Sequence, residues 1–137
     1  MAATGDLTKR LKRAERLSAV QAQMRRAAEW ELAAIQGDAA ALEVDRAALL
    51  AALGGDSHGH LFLEAANRRL RSLAARATEL EEAAARQTEA VREQSLAQKR
   101  AERGAERVAE LLRQERERVE GIERLDGLAQ RRDASLP

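Results

Sequence analysis

Cysteine and tyrosine are absent from the 137 residues, tryptophan and phenylalanine occur once each, at Trp30 and Phe62, and the single proline is Pro137. Without cysteine there is no disulfide, no thiolate nucleophile and no sulfur-ligated metal site. The large side chains that usually dominate a globular core are nearly missing. With proline only at position 137, no locked φ and no missing N–H interrupts a helix in the interior. No apolar run has the length that crosses a bilayer, and the N-terminal stretch lacks the apolar centre of a secretory signal, so the expected location is the cytoplasm. Charge of one sign is also lacking: Lys and Arg number 24 against 23 Asp and Glu, a net charge of +1, which gives no general attraction for polyanions.

What is present is a heptad repeat. From Leu63 to Ile122 the a and d positions read Leu63, Ala66, Leu70, Leu73, Ala77, Leu80, Ala84, Gln87, Val91, Gln94, Gln98, Ala101, Ala105, Val108, Leu112, Glu115, Val119 and Ile122. A seven-residue repeat held this long keeps one narrow stripe against a partner helix as the two supercoil. Nearer the N-terminus a second apolar series runs through Leu7, Leu11, Ala14, Leu17, Val20, Met24, Ala28, Leu32, Ile35, Ala39, Leu42, Leu49 and Leu53, with Arg46 filling the remaining turn. Gly54-Gly55-Asp56-Ser57 is the strong interior turn signal: Gly54 suits a left-handed position after a helix, and Asp56 or Ser57 can cap the next helix. The expected fold is all-α, a single antiparallel coiled-coil hairpin over 1–137. It has a helix from about Asp6, the expected N-cap, to Leu53, a turn at 54–57, and a longer helix from about His58 to Arg132; Met1–Gly5 is expected to fray and Gly37 to be carried within the first helix. Gln87, Gln94 and Gln98 set three amides on the seam, which fixes register at a cost in stability.

Charge falls in blocks. Residues 1–30 hold seven basic and three acidic groups, 31–57 one basic and five acidic, and from Lys99 onward ten basic and nine acidic groups alternate at i,i+3 and i,i+4 spacings that support a helix in water. The signals for chemistry are weak. His58-Gly59-His60 has no third or fourth metal ligand beside it, and Ser57 near these histidines has neither a pocket nor oxyanion donors, so it reads as a helix cap. No phosphate-binding glycine loop is present. Enzyme activity, a metal and a cofactor are not expected. The basic N-terminal face lacks interleaved aromatics for stacking on bases, and Glu89, Glu93, Glu102 and Glu106 would lie alongside it, which argues against nucleic acid. Trp30 sits off the centre of the first stripe, as a flanking residue or a partner contact, and Phe62 stands beside the turn, as a cap for the hairpin end or a docking residue. Leu111, Leu112, Val119, Ile122, Leu125 and Leu128 continue the apolar stripe where the first helix has run out, which invites an external partner.

The closing run from Gln98-Lys99-Arg100-Ala101-Glu102-Arg103 through Val108, Leu111 and Leu112 to Glu123-Arg124-Leu125-Asp126-Gly127-Leu128-Ala129, followed by Arg131-Arg132, together with the two-helix architecture, resembles the FliJ family of flagellar type III export proteins and its YscO-type injectisome counterparts. The resemblance implies a non-enzymatic cytoplasmic component, at most peripheral at the inner membrane. It would bind a hexameric export ATPase like the stalk of a rotary ATPase, contact the export-gate protein and escort export chaperones. Carried over by position, the ring-binding end would be Lys9, Arg10, Lys12, Arg13 and Arg16 with Leu111, Leu112, Val119, Ile122 and Leu125. The gate-binding patch would be Phe62, Leu63, Ala66 and Leu70. The absence of tyrosine departs from many members and weighs on the gate contact. The alternative is a generic structural or adaptor coiled coil, which could be a homodimer; a nucleic-acid-associated hairpin comes third.

Overall fold

The computed structural model describes residues 2–55 and 59–135 and is all-α. Helix α1 is Ala2–Leu53, of 52 residues, and α2 is His60–Ala134, of 75 residues. No strand occurs among the described residues, and the two helices pack on each other as a hairpin whose second arm is the longer.

The helix ends differ from the sequence expectation. α1 begins at Ala2, so 2–5 are helical and Asp6 is an exposed helix-interior residue rather than the cap. Ala2 and Ala3 are strong helix formers, and the Thr8 hydroxyl donates back to the Thr4 carbonyl at 2.8 Å. At the other end Gly54 does not take the left-handed conformation. Its amide donates to the carbonyls of Leu50 and Ala51, both at 3.2 Å, which tightens the last turn in the ordinary hand. The caps expected at Asp56 and Ser57, and the start expected at His58, lie outside the described residues, as does Met1. The first amide of α2 to be satisfied from outside it is that of Leu63, which donates to the Gly59 carbonyl at 3.1 Å.

The seam of α2 keeps to the heptad count. From Ala66 to Val119 every a and d residue is buried or half-buried, and only the outermost two, Leu63 and Ile122, are exposed. In α1 the seam differs from the apolar series at one place. Ser18, Gln21 and Arg25 are half-buried, whereas Leu17, Val20 and Met24 are exposed. The reason is rhythm. From Ala14 the steps to 18, 21, 25 and 28 are four, three, four, three, and that alternation continues through Leu32, Ile35, Ala39, Leu42, Arg46, Leu49 and Leu53. Taking Leu17, Val20 and Met24 instead requires steps of three, three, four, four, which would swing the stripe away from a partner that keeps strict heptads.

The hairpin comprises two compact parts, Met24–Gln94 and Met1–Gln23 with Ser95–Pro137. Within the first, Leu42, Leu73 and Leu80 form a buried cluster against Ile35, Ala39, Leu49 and Ala77. Each such leucine contributes roughly 1.5–3 kcal/mol by leaving water. The Gln87 side-chain amide donates to the Ala28 carbonyl at 2.9 Å, an antiparallel cross-link between the helices. Gln94 is less well placed: its Oε1 is buried without a hydrogen-bond partner. Within the second part Ala101 and Leu112 are buried, and Leu7, Leu11, Ala14, Ala105 and Val108 are half-buried.

An orphaned acceptor is costly and a satisfied one is not, so the two glutamines should respond differently to Leu. Gln94→Leu is expected to raise stability in urea denaturation by about 1–2 kcal/mol. Gln87→Leu should gain less because it gives up the bond to Ala28. A loss of stability in Gln94→Leu would contradict this assignment.

Candidate functional site

A protein made of two helices has no enclosed interior, so any site must lie on a helix face or in the grooves beside the seam. With a and d facing the other helix, the flank formed by the g positions, one residue before each a, runs beside the seam on both arms. In Met24–Gln94 this flank is charge-matched: Asp38 and Asp45 of α1 and Arg69 and Arg76 of α2 line one groove of about 500 Å³. In the other part the corresponding groove, of about 390 Å³, is lined by Ala14, Leu17, Gln21, Ala97, Ala101, Gly104 and Val108, with Arg100 at its rim. It contains no acidic residue.

Of the residues assigned to ring binding, Lys9, Arg10, Lys12, Arg13 and Arg16 are exposed in the Met1–Gln23 with Ser95–Pro137 part. Leu111, Ile122 and Leu125 of α2 are exposed in the same part, and Val119 is half-buried. Leu112 is a correction: it is 4% exposed, a seam residue turned toward α1, and is closed to an outside partner while the hairpin is intact. Leu128, 60% exposed, is open instead. Of the gate-binding set, Phe62 and Leu63 are exposed and Leu70 is half-buried, but Ala66 is buried in the seam and is likewise corrected. Trp30 falls five residues after Arg25, at the position opposite the seam, and is 80% exposed, so it is not a flanking packing residue. The heptad count that relocated the α1 seam would have found this, because it fixes where Trp30 points.

His60 opens α2 and lies 3.1 Å from Glu64, one turn on; His58 and Ser57 are outside the described residues. No group of three or more metal-ligating side chains occurs among the described residues. α2 carries same-helix ion pairs, on its outer surface at Arg113 and reaching from the flank to a half-buried seam residue at Arg118. Arg113 bonds Glu110 and Glu117, and Arg118 bonds Glu115, with three- and four-residue spacings. Compared with models of known protein families, with curated proteins and with solved structures, the chain matches none.

The hydrogen bond from Arg113, with its positive charge, holds the Glu110 carboxyl below its usual range, and Arg118 does the same for Glu115. A carboxyl lowered by folding adds stability above its unfolded pKa and loses it as pH falls through the folded value. Arg113→Gln should therefore raise the titration midpoint of Glu110 in carboxyl NMR and remove that part of the acid dependence of helicity. An unchanged midpoint would show that the pair does not form in water.

Proposed function

We propose that this chain is a non-enzymatic coiled-coil stalk of the flagellar type III export apparatus, which binds the hexameric export ATPase and couples it to the export gate and chaperones. The observation that carries the reading is the α2 segment beyond Leu112. There Leu125 is 67% and Leu128 60% exposed, in the same compact part as the basic run from Lys9 to Arg16. Exposed leucines on a helix that continues past its buried seam favour docking into a larger protein, since leaving them in water has no structural return. The resemblance of the closing run to the FliJ family supplies the identity of that protein. A hexameric ring is also a natural receptor for a coiled-coil end, which can present its helical faces to several subunits at once.

In this reading Lys9, Arg10, Lys12, Arg13 and Arg16 steer the end toward acidic ring surfaces, while Leu111, Ile122, Leu125 and Leu128 supply apolar contact. Phe62 and Leu63, exposed near the turn, and the half-buried Leu70 are the residues left for the gate. A cytoplasmic location belongs to the same proposal; no helix among the described residues is long and apolar enough to cross a membrane. The competing reading, a generic adaptor coiled coil, draws on the same exposed leucines without the export machinery.

The test is titration of the purified chain into the flagellar export ATPase of the same cell, with binding and ATP hydrolysis both measured. Binding with stimulated hydrolysis is expected. Leu125→Asp with Leu128→Asp should weaken it by about tenfold or more with helicity unchanged, because both side chains lie outside the seam. Absence of binding by the folded wild-type chain returns the adaptor reading.

A further inference from the structure

Two exposed apolar residues of α1, Leu17 and Val20, lie within its basic N-terminal block. Leu17 and Val20, 52% and 49% exposed, occupy g and c positions, c being two residues after each a, while Ser18 and Gln21 take the seam beside them. A sequence that needed only a tighter hairpin would put its larger apolar side chains at 18 and 21. Here Leu17 lines the groove floored by Ala97, Ala101 and Gly104, and Val20 follows one turn on along the same flank. Gly104 deepens that floor, and a Cβ built on it would meet nothing within 4 Å.

The rim of the groove is basic. The g and c positions of this flank carry Arg10 and Arg13 on α1 and Arg100, Arg107 and Arg118 on α2, and none of these positions holds an acid from Arg10 to Val20 or from Ala97 to Leu128. Arg118 pairs with Glu115 on its own helix, whereas Arg10, Arg13, Arg100 and Arg107 make no ion pair among the described residues. The opposite flank of the same part is mixed, with Glu15, Glu102 and Glu106 beside Lys12 and Lys99. The other compact part matches acid to base across its own groove. An uncompensated basic rim around an apolar floor calls for an acidic occupant that carries an apolar side chain.

We propose that the groove over Ala97, Ala101 and Gly104, flanked by Leu17 and rimmed by Arg100, with Arg13 one turn before Leu17 on the same flank, is a docking site for an acidic amphipathic helix of a partner protein, with one bulky apolar side chain seated above Gly104. The carboxylates on the flanks of that helix meet the arginines, and its apolar edge covers Leu17 and Val20. A second copy of this chain presenting the same face fits poorly, because it would bring arginine to arginine. The proposal shares Arg10 and Arg13 with the ring-binding reading but requires no ATPase, so either can fail alone.

The experiment uses a dye-labelled amphipathic peptide with leucines along one edge and glutamates on both flanks, against a matched peptide with lysine for each glutamate. Fluorescence anisotropy with the full chain should show saturable binding of the acidic peptide only, weakened by added salt. Gly104→Leu fills the notch from a position with open space above it, and Leu17→Ser removes apolar surface that is already exposed. Each should weaken binding by about tenfold while circular dichroism stays at the wild-type value. Failure of the acidic peptide to bind, equal binding of both peptides, or wild-type affinity in folded Gly104→Leu and Leu17→Ser would overturn the proposal. So would a self-associating wild-type chain that Gly104→Leu converts to monomer, since a second copy would then hold the groove.

Discussion

The structure depends on one constraint: the α2 seam keeps a strict seven-residue rhythm, and whatever packs against it must keep the same rhythm. A helix in water would turn its most apolar stripe inward, and for most of α1 that stripe and the heptad positions coincide. Between Ala14 and Ala28 they do not, and rhythm prevails over hydrophobicity. Ser18, Gln21 and Arg25 are half-buried rather than buried, so their polar groups keep part of their water. A single fully buried layer would not tolerate Arg25. Its guanidinium remains partly in water and bonds Glu29 at 2.7 Å.

That constraint divides the labour of the side chains. Leu42, Leu73 and Leu80 hold the arms together in one part, and Ala101 and Leu112 are buried in the other. Alanine on the seam lets backbones approach but buries little area, so the stability of the hairpin rests on a few leucines and on length. The apolar residues expelled from the seam, Leu17 and Val20, and those on α2 beyond it, Leu125 and Leu128, become surface instead. The seam thus decides which apolar side chains are buried and which face water.

Most of the fold is legible in the sequence because a heptad is a long-range, redundant signal. The single interior turn signal at Gly54-Gly55 and the lack of interior proline leave two helices as the simple solution, and the α2 seam can be read residue by residue. The differences are local. Apolar identity points to Leu17, Val20 and Met24 where spacing points to their neighbours, and Arg46 already shows that a seam position can be polar. Asp6 looks like a cap because its type suits one, yet Ala2 and Ala3 extend the helix past it. The candidate site is less legible. Leu112 and Ala66 share the apolar character of the exposed Leu111 and Phe62, and only the seam count separates them. The groove at Gly104 is invisible in the sequence because it combines residues far apart in the chain, and the notch is made by an absent side chain.

The central claim, that heptad rhythm rather than apolarity decides which α1 residues face α2, can be measured directly because the chain has no cysteine. Single cysteines placed at 17, 18, 20 and 21 report their own exposure through the rate of thiol alkylation in the folded protein. Leu17→Cys and Val20→Cys should react at nearly the rate of an unfolded control, and Ser18→Cys and Gln21→Cys should be clearly slower. The reverse order would put Leu17 and Val20 in the seam and contradict the account.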